Sequence, residues 1–407
     1  MEPAKNPYVP TAGAPPAVLV GREPLIEGFR TTLARVMAGR AEQSVIPYGL
    51  RGVGKTVLLN SFVADAERAG YIVAYLEADE QQSFLHKLAI ELQSILFSLD
   101  TPARVNEFAK RAMRVFKSFT VRLGFDGLSA SIGVEPERGL GDSGDLQLDL
   151  TALLVSIGEA ARAQETAVLI AVDEAQYLSE GELSSVIMAM HRVNQLSLPV
   201  LFVATGLPQI LQRLGEAKSY AERLFNFCPI GALSESEARE AIVAPAKMER
   251  VAYTASAVAR ITAVSGGYPF FVQLFAYDVW NAASSSPIEV DVVNAIEPVT
   301  LSKLDNGFFS VRYRRCSPRE RFYLRAMAEL GAGPYSSQEV ADAAGSTQRQ
   351  LGPPRDSLIK KGMIYSPEHG RIDFTVPLFD AFMRRIEPDF SPLAAPSRRQ
   401  RGLGERR

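Results

Sequence analysis

The fold class that the sequence predicts is α/β, with a parallel sheet in the first half of the chain and helical parts behind it. Between residues 20 and 232, continuous apolar runs of strand length alternate with amphipathic helical segments. This alternation is typical of a parallel sheet covered on both faces. After residue 232, helical periodicity alone continues to residue 309. Residues 310–390 then show three helical segments followed by two short strands, which predicts a separate C-terminal module.

Composition predicts an ordinary globular protein. The 407 residues are 47% hydrophobic and 22% charged, which suggests two or three domains. No apolar run reaches the roughly 18 residues of a membrane helix, and the Pro-rich arm over 1–19 lacks an apolar signal core. Two distant cysteines, Cys228 and Cys316, and three scattered histidines disfavour a zinc site or a disulfide framework. We therefore expect a cytoplasmic protein without a membrane partner.

The net charge of −2 hides an asymmetry. Residues 1–300 hold 25 Lys/Arg and 34 Asp/Glu, whereas residues 301–407 hold 19 and 12. A basic C-terminal third suggests a module that faces nucleic acid. The alternative is a solvated basic surface with a basic tail, and charge by itself does not decide between them.

The predicted elements of the sheet domain alternate in order along the chain. Helices are expected over 23–39, 55–69, 146–162 and 180–196, and strands over 44–48, 71–77, 166–172 and 199–205. Residues 101–144 interrupt the pattern. Their basic amphipathic helix and two short alternating stretches, 120–125 and 128–134, predict an insertion that carries a hairpin.

A glycine-rich turn, residues 49–56, follows the first strand and fits the pattern G-x-x-x-x-G-K-[ST] in full. This pattern is called the P-loop. The expected phosphate contacts are its residues and the next one: Gly49, Leu50, Arg51, Gly52, Val53, Gly54, Lys55, Thr56 and Val57. Glycines let successive N–H groups converge on phosphate oxygens, and the following helix adds its positive N-terminal end. Lys55 should reach the β- and γ-phosphates and Thr56 should bind Mg²⁺. A chance glycine turn is disfavoured because the motif lies between a strand and a helix. The predicted cofactors are ATP and Mg²⁺.

Two carboxylates end a later buried strand. Asp173 and Glu174 follow the apolar run 168–172, at the edge where open α/β sheets bind ligands. Asp173 is expected to hold Mg²⁺ through water, and Glu174 to act as the general base on the attacking water. A P-loop kinase usually needs no second carboxylate, so the pair predicts hydrolysis.

Two further residues are catalytic candidates, each with a structural alternative. Thr205 ends the strand that should lie between the P-loop strand and the Asp173 strand, and could contact the γ-phosphate or the lytic water. Its alternative is a threonine that merely ends a strand. Arg223 is a candidate to neutralise transition-state charge in a neighbouring subunit, and its alternative is a surface or ion-paired arginine.

Together these residues resemble the AAA+ ATPases, in particular the origin-recognition and replication-initiator branch. The resemblance begins at Val20-Gly21-Arg22-Glu23, which is similar to that branch's "GRE" box, and runs to about residue 385. The chain is most similar to bacterial proteins of the AAA family ATPase type. The resemblance implies that the helices over 233–309 form the family's lid.

Two departures from that family matter. The third strand commonly ends in Asn, whereas this chain has Thr205. The lid arginine of many initiators is absent from the stretch 265–271, whose Gly-Gly-x-Pro is similar to the lid of the signal-transducing (STAND) ATPases. That likeness implies that Pro269 packs against the nucleotide. Slow, switch-like turnover is therefore as compatible with the sequence as rapid motor activity.

The C-terminal module, 310–390, has the order helix, helix, helix, hairpin. Helices over 317–330, 337–344 and 346–361 precede strands over 363–365 and 371–375. This order resembles the winged helix-turn-helix that follows the ATPase in replication initiators, in which the third helix enters the major groove of double-stranded DNA. The candidate DNA contacts are Arg349, Arg355, Lys360, Lys361 and Arg371. Prolines 353 and 354 suggest that the regular third helix begins only at residue 353. The tail, 391–407, holds five arginines and is expected to be disordered.

Three functions compete. The leading hypothesis is a DNA-associated AAA+ ATPase, which could be a homo-oligomer, in which ATP sets assembly or conformation. The runner-up is a STAND-like signalling switch whose C-terminal module binds protein. A small-molecule kinase is disfavoured by Glu174 and by the lid.

Overall fold

The structure is a computed structural model, and it describes residues 1–79, 82–100, 107–125, 127–128, 133–136, 141–219, 221–331 and 333–393. The chain divides into two compact units, Met1–Val290 and Asp291–Arg407. Within those described ranges, no helix combines the length and the apolar character that a bilayer crossing requires. The tail arginines of residues 398–407 lie outside the described residues.

The core of the first unit is a parallel five-stranded sheet. Its strands are β1 (Ser44–Tyr48), β2 (Tyr71–Glu77), β3 (Ala167–Asp173), β4 (Val200–Ala204) and β5 (Phe225–Pro229). They lie in the order β2-β3-β4-β1-β5, so β4 separates the P-loop strand from the Asp173 strand as the sequence predicts. The sequence did not predict β5. It lies at the edge of the sheet and only two of its five positions are buried, so it lacks the continuous apolar run that marks the inner strands.

Helices cover both faces of this sheet. They are α1 (Glu23–Met37), α2 (Lys55–Arg68), α3 (Phe84–Leu99), α4 (Glu107–Arg122), α5 (Leu146–Ala163), α6 (Glu180–Gln195), α7 (Ile210–Ala217) and α8 (Ala221–Leu224). Successive residues of β3 point to opposite faces. Leu169 and Ala171 pack in the cluster that includes α1 and α2, whereas Val168 and Ile170 pack in the cluster of α3 to α7. The predicted α/β class is confirmed.

The predicted hairpin over 101–144 is wrong in its first strand. Thr120 lies inside α4 and donates its hydroxyl to the carbonyl of Phe116 at 3.0 Å. Phe116 and Phe119 are buried in the same cluster as the sheet, so α4 is part of the core. β-branched and aromatic residues around position 120 imitate a strand, but packing on a helical stripe overrides that propensity. The second predicted strand, 128–134, falls largely outside the described residues.

Three helices follow the sheet in the first unit: α9 (Glu235–Met248), α10 (Ala255–Ser265) and α11 (Pro269–Ala282). The predicted capping box is present, because Ser234 Oγ accepts from the amide of Glu237 while the Glu237 carboxylate accepts from the amide of Ser234 at 2.7 Å. Both orphan donors at this helix start are thereby satisfied.

The N-terminal segment, predicted to be a polar arm, packs against these helices. Tyr8 is buried, donates its hydroxyl to the carbonyl of Ile242 at 2.5 Å and meets Trp280 edge-on at 6.2 Å. The amide of Val9 donates to Gln273 Oε1 at 3.0 Å. The buried Tyr8 ring and backbone hydrogen bonds therefore hold a segment whose average composition is polar, so composition by itself did not predict this packing.

The second unit contains helices and a small antiparallel sheet. Its helices are α12 (Val290–Lys303), α13 (Ser310–Arg314), α14 (Pro318–Glu329), α15 (Ser337–Ala343), α16 (Gln348–Lys360) and α17 (Phe379–Ile386). Its strands are β6 (Tyr335–Ser336), β7 (Ile364–Tyr365) and β8 (Arg371–Phe374), in the order β6-β8-β7. The predicted order of three helices and a hairpin is present, while β6 and α17 were not predicted. A π-helical turn, Leu304–Phe309, joins α12 to α13.

The third helix, predicted over 346–361, lies at Gln348–Lys360, whereas the suggestion that its regular part begins only at residue 353 is wrong. The helix α16 begins at Gln348, where the Thr347 side chain accepts from the amide of Gln350. The cap and the first turn are complete before Pro353, since the amide of Leu351 also reaches the carbonyl of Thr347 at 3.1 Å. Pro353 and Pro354 lie inside the helix, and the free energy that they cost does not shift its first residue.

Candidate active site

The loop between β1 and α2 has the backbone geometry of a phosphate cradle. Gly52 and Gly54 have φ values of +81° and +90°, which glycine adopts without strain. A Cβ at Gly49 would lie 2.0 Å from the carbonyl oxygen of Ile230, so a side chain at this position would collide with backbone. The loop ends at Gly54, the N-cap of α2, where the positive end of the helix lies.

Lys55 lies within this loop. Its exposed fraction is 6%, and its ammonium donates to the carbonyls of Gly49 at 3.0 Å and Leu50 at 2.9 Å. Burial lowers the pKa of Lys55 to about 8, the carboxylate of Glu174 opposes that shift, and the charge of Arg51 adds to it. Two neutral carbonyls compensate a buried charge poorly, so a phosphate is a better partner for Lys55.

Asp173 joins the loop to the end of β3. Its carboxylate is buried and accepts from the Thr56 hydroxyl at 2.6 Å, from the amide of Glu174 at 2.9 Å and from the Thr205 hydroxyl. Three donors thus fix this one carboxylate beside the P-loop threonine. The Thr56 and Asp173 oxygens are hard ligands of the kind that Mg²⁺ prefers, so the residues present fit that ion.

Thr205 directly follows β4, but its side chain has a different partner from the one predicted. The residue is completely buried, and its hydroxyl is bonded to Asp173. Its amide and carbonyl continue the sheet through Val172 and Ala175, both at 2.8 Å. The expectation that Thr205 faces a γ-phosphate or a water is therefore corrected, because the side chain points at the carboxylate. Thr205 is a positioning residue for Asp173.

Glu174 follows β3 in a strained backbone conformation. Its φ is +54°, a left-handed value that costs non-glycine residues about 1–3 kcal/mol and is frequent at active sites. Its side chain is partly exposed and lies 4.0 Å from the Arg51 guanidinium. The Gln176 amide donates to the other carboxylate oxygen. This turn aims the carboxylate at the P-loop side of the sheet edge.

No sequence pattern singled out Gln176. Its exposed fraction is 3%, and its Oε1 accepts from the amide of Leu207 at 3.0 Å. One side chain therefore ties Glu174 to the loop after β4. Only the position of Gln176 two residues after the Asp-Glu pair could have indicated such a role.

The start of α11 lies directly on the P-loop. The amide of Phe270 donates to the carbonyl of Gly52 at 3.1 Å, and Tyr268 packs in the cluster of α1 and α2. Pro269 is the first residue of α11 and lies between these two contacts. Pro269, for which the STAND likeness implies packing against the nucleotide, is thus next to the P-loop.

Arg22 of the "GRE" segment is a second residue whose role was not predicted. Its guanidinium donates to the carbonyls of Gly21 at 2.8 Å, Val53 at 3.3 Å and Gly231 at 2.7 Å. Burial lowers its pKa. Arg22 therefore holds the segment before α1 against both the P-loop and the connection to α9.

Arg223 lies at the edge of the sheet where the parallel strands begin, whereas the P-loop lies at the edge where they end. Its side chain is exposed in α8, immediately before β5, whose first residue pairs with Ser44 at the start of β1. The five residues of β1 separate the two edges by about 16 Å at the usual rise per residue. Arg223 thus lies too far from the phosphate loop of its own chain to contact a γ-phosphate there.

The predicted DNA contacts fall into two groups in the second unit. Arg349 and Lys360 are exposed and have no carboxylate partner among the residues that the structure describes. The other three are engaged in ion pairs: Arg355 with Asp356 at 2.9 Å, Arg371 with Glu339 at 3.6 Å and Lys361 with Glu320 at 2.8 Å. The third helix and the hairpin therefore offer fewer unpaired cations than the sequence suggests.

Two family models match the chain. Residues 18–203 match an AAA ATPase domain, and residues 306–383 match a domain of unknown function, DUF8462. No curated protein matches the chain at a significant level.

Solved structures with this architecture cover nearly the whole chain. The Walker-type ATPase PABY2304 of Pyrococcus abyssi is 16% identical, with 90% of this chain and 96% of that chain covered and a TM-score of 0.55. The Aeropyrum pernix Orc1 protein in complex with DNA is 15% identical, with coverages of 91% and 94% and a TM-score of 0.46. The Thermotoga maritima RuvB Holliday junction branch migration motor is 16% identical, with coverages of 87% and 92% and a TM-score of 0.44.

The fold and the P-loop site define a P-loop ATPase, and the protein is an ATP-hydrolysing enzyme of this class. The matched domain is more specific. Residues 18–203 match an AAA ATPase domain, and this match supports an AAA+ ATPase.

Proposed function

We propose that this AAA+ ATPase couples its nucleotide state to binding of double-stranded DNA through the second unit, which acts as a winged helix-turn-helix. The proposal is carried by one observation, namely that an ATPase core and a module of three helices and a hairpin with unpaired cations belong to one chain. Arg349 and Lys360 lie on the helix that would enter the major groove.

The chain's own residues account for hydrolysis in this proposal. Lys55 exchanges its carbonyl partners for phosphate oxygens, and Thr56 with Asp173 would hold Mg²⁺. When bound, that ion neutralises phosphate charge. Glu174 accepts a proton from the attacking water, and Gln176 fixes the direction of its carboxylate.

Arg223 fits this scheme only between subunits. Its exposed position at the far edge of the sheet suits a contact with the site of a neighbouring copy. Turnover per subunit should then rise with protein concentration, and Arg223→Ala should remove that rise without changing nucleotide affinity. A rate that is independent of concentration would return Arg223 to a surface role.

The DNA part of the proposal is tested by fluorescence anisotropy on duplex DNA over a salt series. Arg349→Gln/Lys360→Gln should flatten the plot of log affinity against log salt by about two units, at roughly 0.9 per lost phosphate contact. Arg355→Gln/Arg371→Gln removes two charges that are already paired and should flatten the slope less. Equal slopes for both variants and the parent protein would contradict this use of the third helix.

A second candidate is a STAND-like signalling switch whose C-terminal module binds protein. The observation that favours it is that the residue directly after the Gly-Gly-x-Pro stretch contacts the P-loop, through the hydrogen bond from the Phe270 amide to the Gly52 carbonyl. Duplex DNA that neither binds nor changes ATP turnover would support this candidate over the first.

A further inference from the structure

The junction between α13 and α14 concentrates positive charge. Residues 311–322 include five arginines and a single carboxylate, Glu320. Neither the third helix nor the hairpin includes this stretch. Its arginines are in two different situations, which decide what the surface can bind.

Two of the five arginines are held against aromatic rings of the same unit. The Arg312 guanidinium lies 4.1 Å from the centre of the Phe308 ring, and that of Arg321 lies 4.2 Å from the centre of the Tyr313 ring. Arg321 also donates to the carbonyl of Tyr313 at 3.3 Å. These contacts fix the local backbone and cover faces of both rings.

The negative charge of the single carboxylate is neutralised by partners inside the protein. Glu320 has an exposed fraction of 3% and accepts from Lys361 at 2.8 Å and from Ser357 at 2.6 Å. Burial by itself raises the pKa of Glu320, but the hydrogen bonds from Lys361, Ser357 and Ser317 outweigh it and lower the pKa to about 2. Glu320 is therefore ionised, paired and hidden from solvent, so it does not offset the charge outside.

The other three arginines are exposed. Arg314, Arg315 and Arg319 have no carboxylate within ion-pair distance among the residues that the structure describes. The carbonyl of Arg315 accepts from Lys361 Nζ at 3.0 Å, which fixes this junction against the end of α16. Lys360, the exposed cation of that helix end, is the neighbour of Lys361 in the chain. We call Arg314, Arg315 and Arg319 the junction surface.

We propose that the junction surface binds the phosphate backbone of duplex DNA, as a contact region separate from the third helix and the hairpin. The inference rests on the DNA role proposed above and extends it. Guanidinium groups bind phosphate oxygens bidentately, and three of them within six residues suit a regularly charged polymer. Single-stranded nucleic acid is disfavoured because it is bound on free aromatic faces, whereas arginines cover the Phe308 and Tyr313 rings here.

Backbone contacts carry no sequence information, so the junction surface should add affinity without specificity. The test is fluorescence anisotropy of the full chain on duplex DNA across a salt series. The variant Arg314→Gln/Arg315→Gln/Arg319→Gln should flatten the salt slope by about 2 to 3 units and weaken all duplex sequences by the same factor.

A matched control removes the same charge from the first unit. Arg40→Gln/Arg192→Gln/Arg239→Gln replaces three exposed arginines and should leave the slope at the parent value. Every variant keeps the same basic tail, so any contribution of the tail cancels. Thermal unfolding followed by circular dichroism, together with ATP turnover measured without DNA, reports whether both units of each variant are folded.

The outcomes separate this inference from the proposed function. A junction variant with the parent slope, beside an Arg349→Gln/Lys360→Gln variant that binds weakly, overturns the inference and leaves the DNA role standing. Binding of single-stranded RNA in preference to duplex DNA, lost in the junction variant, also overturns it. A parent protein that binds no duplex even at low salt removes the DNA role itself.

Discussion

The P-loop edge of the sheet and the junction surface hold charge in opposite ways. Lys55 and Asp173 are buried, and each is bonded to other groups of the site. Arg314, Arg315 and Arg319 are exposed and lack carboxylate partners among the described residues. A buried site holds one small ligand in one geometry, so the loss of one group should be nearly complete. An exposed surface contacts a polymer at several points, so its losses should be graded and dependent on salt.

The largest effect that would sharpen this contrast is expected at Glu174. Glu174→Gln keeps the shape of the side chain and removes its basicity, so turnover should fall by about 10² to 10⁴-fold while Mg·ATP remains bound. Phosphate release measures turnover and calorimetry measures binding. Salt-dependent DNA affinity measured without nucleotide should match that of the parent protein. Hydrolysis at the parent rate would show that another group takes the proton.

The next effect is expected at Lys55. Lys55→Ala removes the only ammonium in the phosphate loop, so ATP affinity should fall by about 100-fold, as expected for a lost hydrogen bond between charged groups. Calorimetry with Mg·ATP measures the change. Lys110→Ala removes a partly exposed lysine from α4 and is the control that should bind normally. Equal affinities for Lys55→Ala and the control would rule out the phosphate role of the loop.

A smaller effect is expected at Gln176. Gln176→Leu removes the amide that orients Glu174 and leaves the Leu207 amide without its acceptor. Turnover should fall by about tenfold, with the KM for ATP nearly unchanged, because the base is misdirected and not lost. Gln212→Leu removes an exposed glutamine of α7 that bonds to Glu216 and serves as the matched control. A rise in KM at constant kcat would show that Gln176 acts on binding instead.

Sequence patterns predicted the inner elements of the site because two local rules determine them. The glycines around Lys55 and the carboxylates after β3 are contiguous in the chain, and the continuous apolar strands indicate a parallel sheet. Residues that depend on tertiary contacts could not be predicted this way. Tyr8, Arg22 and Gln176 each act through a partner far along the chain: Ile242, Gly231 and Leu207, respectively.

In the second unit, the sequence likewise does not show which charges are already paired. The sequence shows that Arg355, Lys361 and Arg371 are basic, but it does not show that Asp356, Glu320 and Glu339 neutralise them. Conversely, it shows Glu320 beside several arginines without revealing that this carboxylate is buried. Whether a charge is available to a partner depends on its pairing in space.

The smallest expected effect is a difference in pH dependence: ATP affinity should change with pH, whereas DNA affinity should not. Lys55 must be charged to bind phosphate, and burial lowers its pKa to about 8. As the pH rises through this value, Lys55 loses its proton in the unliganded protein, and ATP binding must then restore it. The affinity for Mg·ATP should therefore fall by about fourfold between pH 7 and pH 8.5, with proton uptake on binding. Arginines stay charged throughout this range, so DNA binding at the junction surface, measured without nucleotide, should not change.

Calorimetry in two buffers of different ionisation enthalpy measures that proton uptake directly. Lys55→Arg supplies a charge that does not titrate near pH 8 and is the matched control. Whatever its absolute affinity, this variant should bind Mg·ATP equally at pH 7 and pH 8.5. A fourfold loss that persists in Lys55→Arg would assign the titration to another group. DNA affinity that is measured without nucleotide and still falls between pH 7 and pH 8.5 would contradict the separation of buried and exposed charge between the two regions.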